Sequence, residues 1–393
     1  MESIWNFIVG IFSSPITLYV INALLIITVI FNERKTSSAI FAWIMVMAFI
    51  PVLGFVLYLV LNQNISRRKI NRMTETEERV TSNALRKQIA NMDEKTYDFG
   101  SESAQKWQHL IKLNQVYGKA YYTQDNEIRL ITDGNELMEE LIKDIRKARE
   151  SVNVEFFIIK RDKVGRRFIE VLTEKAREGV EVRLLMDALG SRYITKGVLK
   201  DYLRAGGKVG YFFKPKFIFL GLKLNYRNHR KIVVIDGRYG YVGGFNIGRE
   251  YVSKDPKFGY WRDTHLKFCG EAVLGLQIRF ALDWNYAAGE NLFKNAEYFE
   301  PHIPTDREQM REDSGKYSCV HIPEVGVQII ASGPDTMYRQ IRDNYLELFH
   351  KAKKHIYIQT PYFVPDDAVL SALQVAAKSG VDVRLMIPCK PDH

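Results

Sequence analysis

The stretch Asn225-Tyr-Arg-Asn-His229-Arg-Lys231-Ile-Val-Val-Ile-Asp236-Gly-Arg-Tyr-Gly-Tyr-Val-Gly243-Gly244-Phe-Asn246 decides how this chain is read. His229 and Lys231 stand two apart in a run that reads as a strand, so both are expected on one face. Ile232 to Ile235 would bury that strand. Asp236-Gly237 is a turn signal, and a second strand then leads to Gly243-Gly244 and Asn246. This order brings an imidazole, an ammonium and a carboxamide around one point.

Such a point suits a phosphodiester. An imidazole is a competent nucleophile toward phosphorus. Lys231 offers fixed positive charge and Asn246 a directional donor, both for charge that gathers on the non-bridging oxygens. Gly243 and Gly244 let backbone approach a phosphate closely. The chemistry calls for no metal and no cofactor. The sequence has no HExxH, no cysteine cluster and no Walker-type glycine loop. Cys269, Cys319 and Cys389 are far apart and exclude a disulfide framework.

Upstream of the motif, strand and helix patterns alternate. Residues 127–132 read as a strand, 137–149 as a helix, 152–159 as a strand, 166–177 as a helix and 180–186 as a strand. That alternation argues for an α/β fold with a largely parallel sheet covered by helices. The pattern then recurs. Gly179-Val-Glu-Val-Arg-Leu is echoed by Gly380-Val-Asp-Val-Arg-Leu, each preceded by a helix and a strand. Residues 325–331 and the helix 337–351 match 127–149, so the soluble part reads as an internal duplication of βαβ units. Glu155 and Gln359 hold equivalent places at strand ends, where a doubly wound sheet puts its site. They are pocket candidates, with strand capping as the plainer alternative.

The N-terminus is different in kind. Ile4 to Phe31 and Ala39 to Leu61 contain no charged residue, and a polar turn with Glu33, Arg34 and Lys35 separates them. A bilayer core takes about 20 apolar residues in a helix, so a transmembrane helical hairpin is expected. Arg67, Arg68, Lys69 and Arg72 follow the second run, which orients both the N-terminus and the downstream part toward the cytoplasm. The 393 residues carry a formal net charge of +10, none of it from the first 66. A basic soluble part on a membrane tether points to an anionic partner, lipid headgroups or nucleic acid.

The spacing HxK, four residues, Asp, six residues, Gly-Gly-x-Asn resembles the phospholipase D superfamily. The apolar N-terminus, Trp261-Arg-Asp-Thr-His265, Leu276-Gln277 to Asp283-Trp284 and Thr360-Pro-Tyr-Phe-Val-Pro-Asp366 resemble its bacterial cardiolipin synthase family. The resemblance implies duplicated phospholipase D-like βαβ sandwich domains, the second one incomplete. It divides the chain into a hairpin (1–66), a basic helical linker (67–118), a first repeat with the motif (119–296) and a partial second repeat (297–393).

It also implies phosphatidyl transfer between two phosphatidylglycerol molecules through a phosphohistidine, in a bacterial cell membrane. His229 and Lys231 map onto the catalytic motif. Asp236 maps too, although a position after a buried strand suits a structural role. Asp263 is the candidate for orienting the His229 imidazole. The implied partners are membrane phospholipids, phosphatidylglycerol and cardiolipin, with no nucleic acid. The apolar-basic run from Phe217 to Arg227 is a candidate for touching the membrane surface, with a buried strand as the alternative. Repeat spacing puts a second HxKxxxxD about 200 residues after His229, past His393. The expectation is therefore a truncated chain with little turnover as a monomer, or else a homodimer that assembles a two-histidine site. A water-using phospholipase D and a non-catalytic anionic-lipid-binding module stay open as alternatives.

Overall fold

Val233 and Ile235 pack on one side of their strand and Ile232 and Val234 on the other. This period of two sets the layers of the whole unit. The computed structural model describes residues 15–32, 37–51, 53–61, 75–212, 227–295, 297–299, 320–333 and 338–389. They fall into two compact units, the helices between Pro15 and Leu61 and the remainder from Glu75 onward.

In the first unit, helices α1 (Pro15–Asn32), α2 (Ser37–Phe49) and α3 (Leu53–Leu61) pack on one another. The side-chain amide of Asn22 donates to the Met47 carbonyl at 3.0 Å and ties α1 to α2. Gly54 lets α3 approach closely, because a Cβ there would lie 2.9 Å from the Met47 Cα. The second apolar run is interrupted at Ile50-Pro51, where proline supplies no backbone N–H to continue a helix. Two continuous spans were expected. Among the described residues, no helix is long and apolar enough to cross a membrane.

The second unit opens with helices α4 (Glu75–Asp93), α5 (Glu102–Lys106) and α6 (Gln108–Gly118). They form more than a linker. The Gln88 side chain donates to the Tyr122 carbonyl at 2.8 Å, and the Tyr122 amide donates back at 2.9 Å. The segment is thereby sewn onto the first strand.

The strands are β1 (Tyr122–Asp133), β2 (Ser151–Phe156), β3 (Glu181–Asp187), β4 (Lys208–Phe212), β5 (Ile232–Ile235), β6 (Tyr239–Gly243), β7 (Arg262–Cys269) and β8 (Val320–Gln328). They form one sheet in the order β4-β3-β2-β5-β6-β7-β1-β8. Only β2, β3 and β4 run parallel to one another; β5 to β8 and β1 pair antiparallel. The expected largely parallel sheet is thus a mixed one. The tight turn Asp236-Gly237-Arg238 folds β6 back on β5 as an antiparallel neighbour.

Helices α7 (Gly134–Lys147) and α8 (Lys163–Arg177) cover one face, burying Leu141, Ile145, Phe168 and Leu172 against Val152, Val154, Val233 and Ile235. After the short α9 (Lys200–Arg204), α10 (Ala272–Ala288) covers the other face. Its Val273 and Leu276 meet Ile232 and Val234, and its Phe280 and Trp284 meet Leu185 and Phe212.

The second repeat supplies α11 (Gln340–Lys351), α12 (Asp367–Lys378) and a parallel pair, β9 (His355–Gln359) with β10 (Asp382–Met386). The duplication extends to local detail. Asp162 and Asp366 both cap their helices, accepting from the Gly165 and Val369 amides. Gly179 and Gly380 both take positive φ, +89° and +92°, at the helix ends. The Glu181 amide donates to the Glu150 carbonyl, and the Asp382 amide to that of Lys354, each at 3.0 Å.

Candidate active site

β5 runs antiparallel to β2, with Glu155 opposite Ile232. The residues just before Ile232 therefore sit at the C-terminal ends of the parallel strands, where such sheets place ligands. β6 returns Gly243 to the same edge, opposite His265 of β7. His229, Lys231, Gly243, Gly244, Asp263 and Glu155 thus share one end of the sheet.

His229 is not on the strand, as expected, but in the loop leading into it. Its ring is solvent-exposed on one side and stacks on Phe157 on the other, centroids 3.8 Å apart and planes 19° apart. Lys231 is buried, and its ammonium donates to the His229 carbonyl at 2.7 Å. The same ammonium lies 5.6 Å from the Phe157 ring centroid, within cation–π range. A loop that turns His229 outward while drawing Lys231 inward replaces the expected common strand face.

The two groups influence each other. Burial lowers the His229 imidazole from its ordinary range, the Lys231 charge lowers it further, and the Asp187 carboxylate opposes both. His229 is therefore neutral at pH 7 and has a lone pair to offer. Burial brings Lys231 down to about 8, against the pull of Asp263.

The loop is held by residues on either side of the histidine. The Asn228 amide donates to Asp187 Oδ2 at 3.2 Å, its side chain donates to Glu155, and its Oδ1 accepts from the Arg230 amide at 3.0 Å. Asp187 closes β3 and also accepts from the Leu189 and Gly190 amides. Arg230 reaches Asp283 on α10 at 3.1 Å and the Ser332 carbonyl at 3.1 Å. Beneath lies a buried carboxyl pair, Glu155 and Asp283. Burial and the neighbouring Asp283 push Glu155 well above the ordinary carboxyl range. Burial works the same way on Asp283, yet Arg230 and Arg279 outweigh it and hold that carboxyl low. Of the two, Asp283 therefore holds the negative charge more readily and Glu155 the proton.

Several expected roles change. Asp236 is at the far end of β5 from Lys231. Its carboxylate accepts from the Arg149, Glu150 and Ser151 amides at 2.8 Å each, and its own φ is +49°. It ties the β5–β6 turn to the start of β2 and has no place beside His229. Asn246 accepts from the Ile158 amide and donates to the Tyr251 hydroxyl, each at 3.1 Å. Its carboxamide braces the loop after β2 rather than standing as a free donor.

Asp263 accepts from the Thr264 amide at 2.7 Å, and its charge acts on Lys231; the carboxylate acting on His229 is Asp187. Gly243 and Gly244 have a steric reason to be glycine. A Cβ on Gly244 would stand 2.0 Å from Asp263 Oδ1, and one on Gly243 would stand 2.5 Å from the His265 ring. His265 itself is buried, and burial and Lys231 bring it down to about 3. Gln359, at the end of β9, accepts from Arg262 at 2.7 Å. It meets the rim through the residue next to Asp263 and does not join Glu155. The Phe217–Arg227 run lies outside the described residues, except Arg227. Among those described, no cluster of His, Cys, Asp or Glu suits a metal ion.

Phe157, Asp187, Asn228, Arg230 and Asp283 were not singled out by role from sequence. Asp187 had a usable signal, an acid closing a buried parallel strand. Phe157 had none, since an aromatic inside the apolar run 152–159 reads as core.

Comparison with known proteins finds relatives over most of the chain. The family described as "Cardiolipin synthase, PLD-like domain" matches residues 141–256 and 345–393, and "Phospholipase_D-nuclease N-terminal" matches residues 20–61. The major cardiolipin synthase ClsA of Bacillus subtilis is 42% identical over 375 residues, covering 95% of this chain and 74% of that protein. A cardiolipin synthase of Staphylococcus aureus is 40% identical over 95% of this chain and 73% of its own length. One from Oceanobacillus iheyensis is 40% identical over 95% of this chain and 74% of its own.

Proposed function

The chain belongs to the cardiolipin synthase family, and on that premise we propose that it moves a phosphatidyl group from one phosphatidylglycerol to the free glycerol hydroxyl of another. The observation that carries this reading is the neutral, outward-facing imidazole of His229, stacked on Phe157 beside the buried Lys231 ammonium.

The chemistry runs in two displacements. A lone pair of the His229 imidazole attacks phosphorus. A P–N bond forms and the P–O bond to the departing glycerol breaks, leaving phosphatidyl on His229. The departing alkoxide takes a proton from a second group, since His229 is then covalently engaged. In the second displacement the hydroxyl of another phosphatidylglycerol returns a proton to that same second group and attacks phosphorus. The P–N bond breaks and cardiolipin leaves. Lys231 provides positive charge at the edge where the phosphoryl oxygens gather negative charge. Stacking on Phe157 fixes the ring plane, and the Asn228–Asp187–Glu155 bonds fix the loop, so the attacking atom is placed before substrate arrives. Asp263 favours the charged form of Lys231. Asp236 and Asn246 hold the frame.

Both substrates reside in a bilayer, which supports a membrane location for the N-terminal helices. We read α1 as entering the membrane together with the broken pair α2 and α3, with the catalytic unit on the cytoplasmic side. The charge-free composition of these segments and the basic cluster after them support this. The test is to reconstitute the chain in phosphatidylglycerol vesicles and follow cardiolipin and glycerol together. Equimolar appearance of both, lost in His229→Ala, supports the transfer. Phosphatidic acid in place of cardiolipin would mean that water is the acceptor.

A further inference from the structure

The loop that follows Asp187 is joined to the catalytic histidine and has an outer face for which the reaction itself gives no use. Ser191 Oγ donates to the Phe157 carbonyl at 3.1 Å and accepts from the Ile159 amide at 2.9 Å. Gly190 lies so close that a Cβ would stand 2.2 Å from the Phe157 oxygen. Ile194 and Leu199 are buried, and the Ile194 carbonyl accepts from the Tyr211 hydroxyl at 3.1 Å. The inner side of residues 188–200 is therefore rigidly set against the Phe157–His229 stack.

The outer side has another character. Leu189 is 40% exposed and Tyr193 59% exposed. Arg192 lies over the Tyr193 ring, 4.8 Å from its centroid, and donates to its hydroxyl at 3.0 Å. Lys196 and Lys200 are exposed beyond them. Residues 188–200 include three basic residues and no acidic one. An apolar tip, an amphipathic ring and three cations in a segment with no acidic residue of its own match the interface of an anionic bilayer. There Tyr sits at headgroup depth, Leu reaches the acyl boundary and Lys and Arg meet phosphate.

We propose that residues 188–200 form a docking surface for an anionic phospholipid bilayer, bringing the His229 mouth down onto the headgroups. The inference rests on the lipid-transfer reading and adds where the catalytic unit meets its substrate. Leu189 and Tyr193 enter the interface, while Arg192, Lys196 and Lys200 select negatively charged lipid.

The experiment labels the full chain with a nitroxide at Leu189→Cys or at Tyr193→Cys, after Cys319→Ser and Cys389→Ser. Cys269 is buried and stays. Glu178→Cys, at the opposite end of β3, is the aqueous control. Vesicles contain either phosphatidylglycerol with phosphatidylcholine or phosphatidylcholine alone. Accessibility to oxygen relative to an aqueous nickel chelate is measured at each site. With phosphatidylglycerol present, both loop sites should show a ratio several-fold above the control. The ratio should fall toward the control in phosphatidylcholine alone and in Lys196→Gln/Lys200→Gln. Control-like ratios at both loop sites in the anionic vesicles would overturn the proposal. Cardiolipin formation is followed on the same vesicles. Cardiolipin made while both labels stay aqueous refutes the docking surface alone. Labels that insert without any cardiolipin uphold it and count against the transfer.

Discussion

The imidazole of His229 lies face to face with the ring of Phe157, 3.8 Å between centroids. Phe157 follows β2, and His229 precedes β5, which pairs with β2. The stack therefore ties the reactive ring to the middle of the sheet, and its consequences are measurable.

Phe157→Ala removes the surface that sets the imidazole plane and leaves the charged network below intact. A misplaced nucleophile of about 1 Å costs on the order of 100-fold. The turnover number for cardiolipin formation should fall by about that factor, with KM nearly unchanged. Phe157→Tyr should recover most of the rate. An equal loss in both variants would mean that stacking is not the relevant property.

The pH profile should have two limbs with separate owners. His229 must be neutral to attack, and its lowered pKa places the acid limb below 6.5. Lys231 must be charged, and that charge is lost as pH rises through about 8. Lys231→Arg keeps a cation at all accessible pH, so the alkaline limb should vanish even where the maximal rate drops. An alkaline limb that persists in Lys231→Arg assigns it to another group.

Asp236 should behave as a structural acid. Its carboxylate receives three backbone N–H bonds, and bonds to a charged group contribute about 1.5–3 kcal/mol each, without simple additivity. Asp236→Ala should lower unfolding free energy by about 3 kcal/mol or more. Activity per folded molecule, measured well below the midpoint temperature, should change little. A stable but inactive Asp236→Ala would return this residue to the reaction.

His265 sets an acid sensitivity. Its folded pKa is depressed to about 3, against 6.5 when solvated. Between these values the unfolded chain binds a proton that the native chain does not, so stability falls as pH drops from about 6.5 toward 3. The slope for one such group is about 1.4 kcal/mol per pH unit. Denaturant unfolding of the catalytic unit at pH 7 and pH 5 should show this slope in the parent and a shallower one in His265→Phe. Equal slopes would mean that His265 is protonated in the native state.

The sequence made the repeated βαβ units legible because Gly179-Val-Glu-Val-Arg-Leu recurs as Gly380-Val-Asp-Val-Arg-Leu, each after a strand and a helix. It also brought His229 and Lys231 around one point, although on a strand face and not in the loop that carries them. It misjudged the sheet, since apolar runs such as Ile232–Ile235 look alike in parallel and antiparallel strands. The roles of Asp263 and Asn246 were misread for a related reason. Their chemistry suits a phosphate, but whether a side chain is already engaged depends on neighbours distant in sequence, Ile158 and Tyr251 for Asn246. Asn228 left no residue pattern to detect, because its partners Asp187 and Glu155 lie on other strands.

The most direct test of the account is to trap the first displacement. The chain is mixed with phosphatidylglycerol, quenched with denaturant at neutral pH within the first turnover and digested, and the modified peptide is located by mass. The account predicts a phosphatidyl adduct on His229, retained at neutral pH and lost in acid, absent from His229→Asn. An adduct on another residue, or cardiolipin formed at the parent rate by His229→Asn, would contradict it.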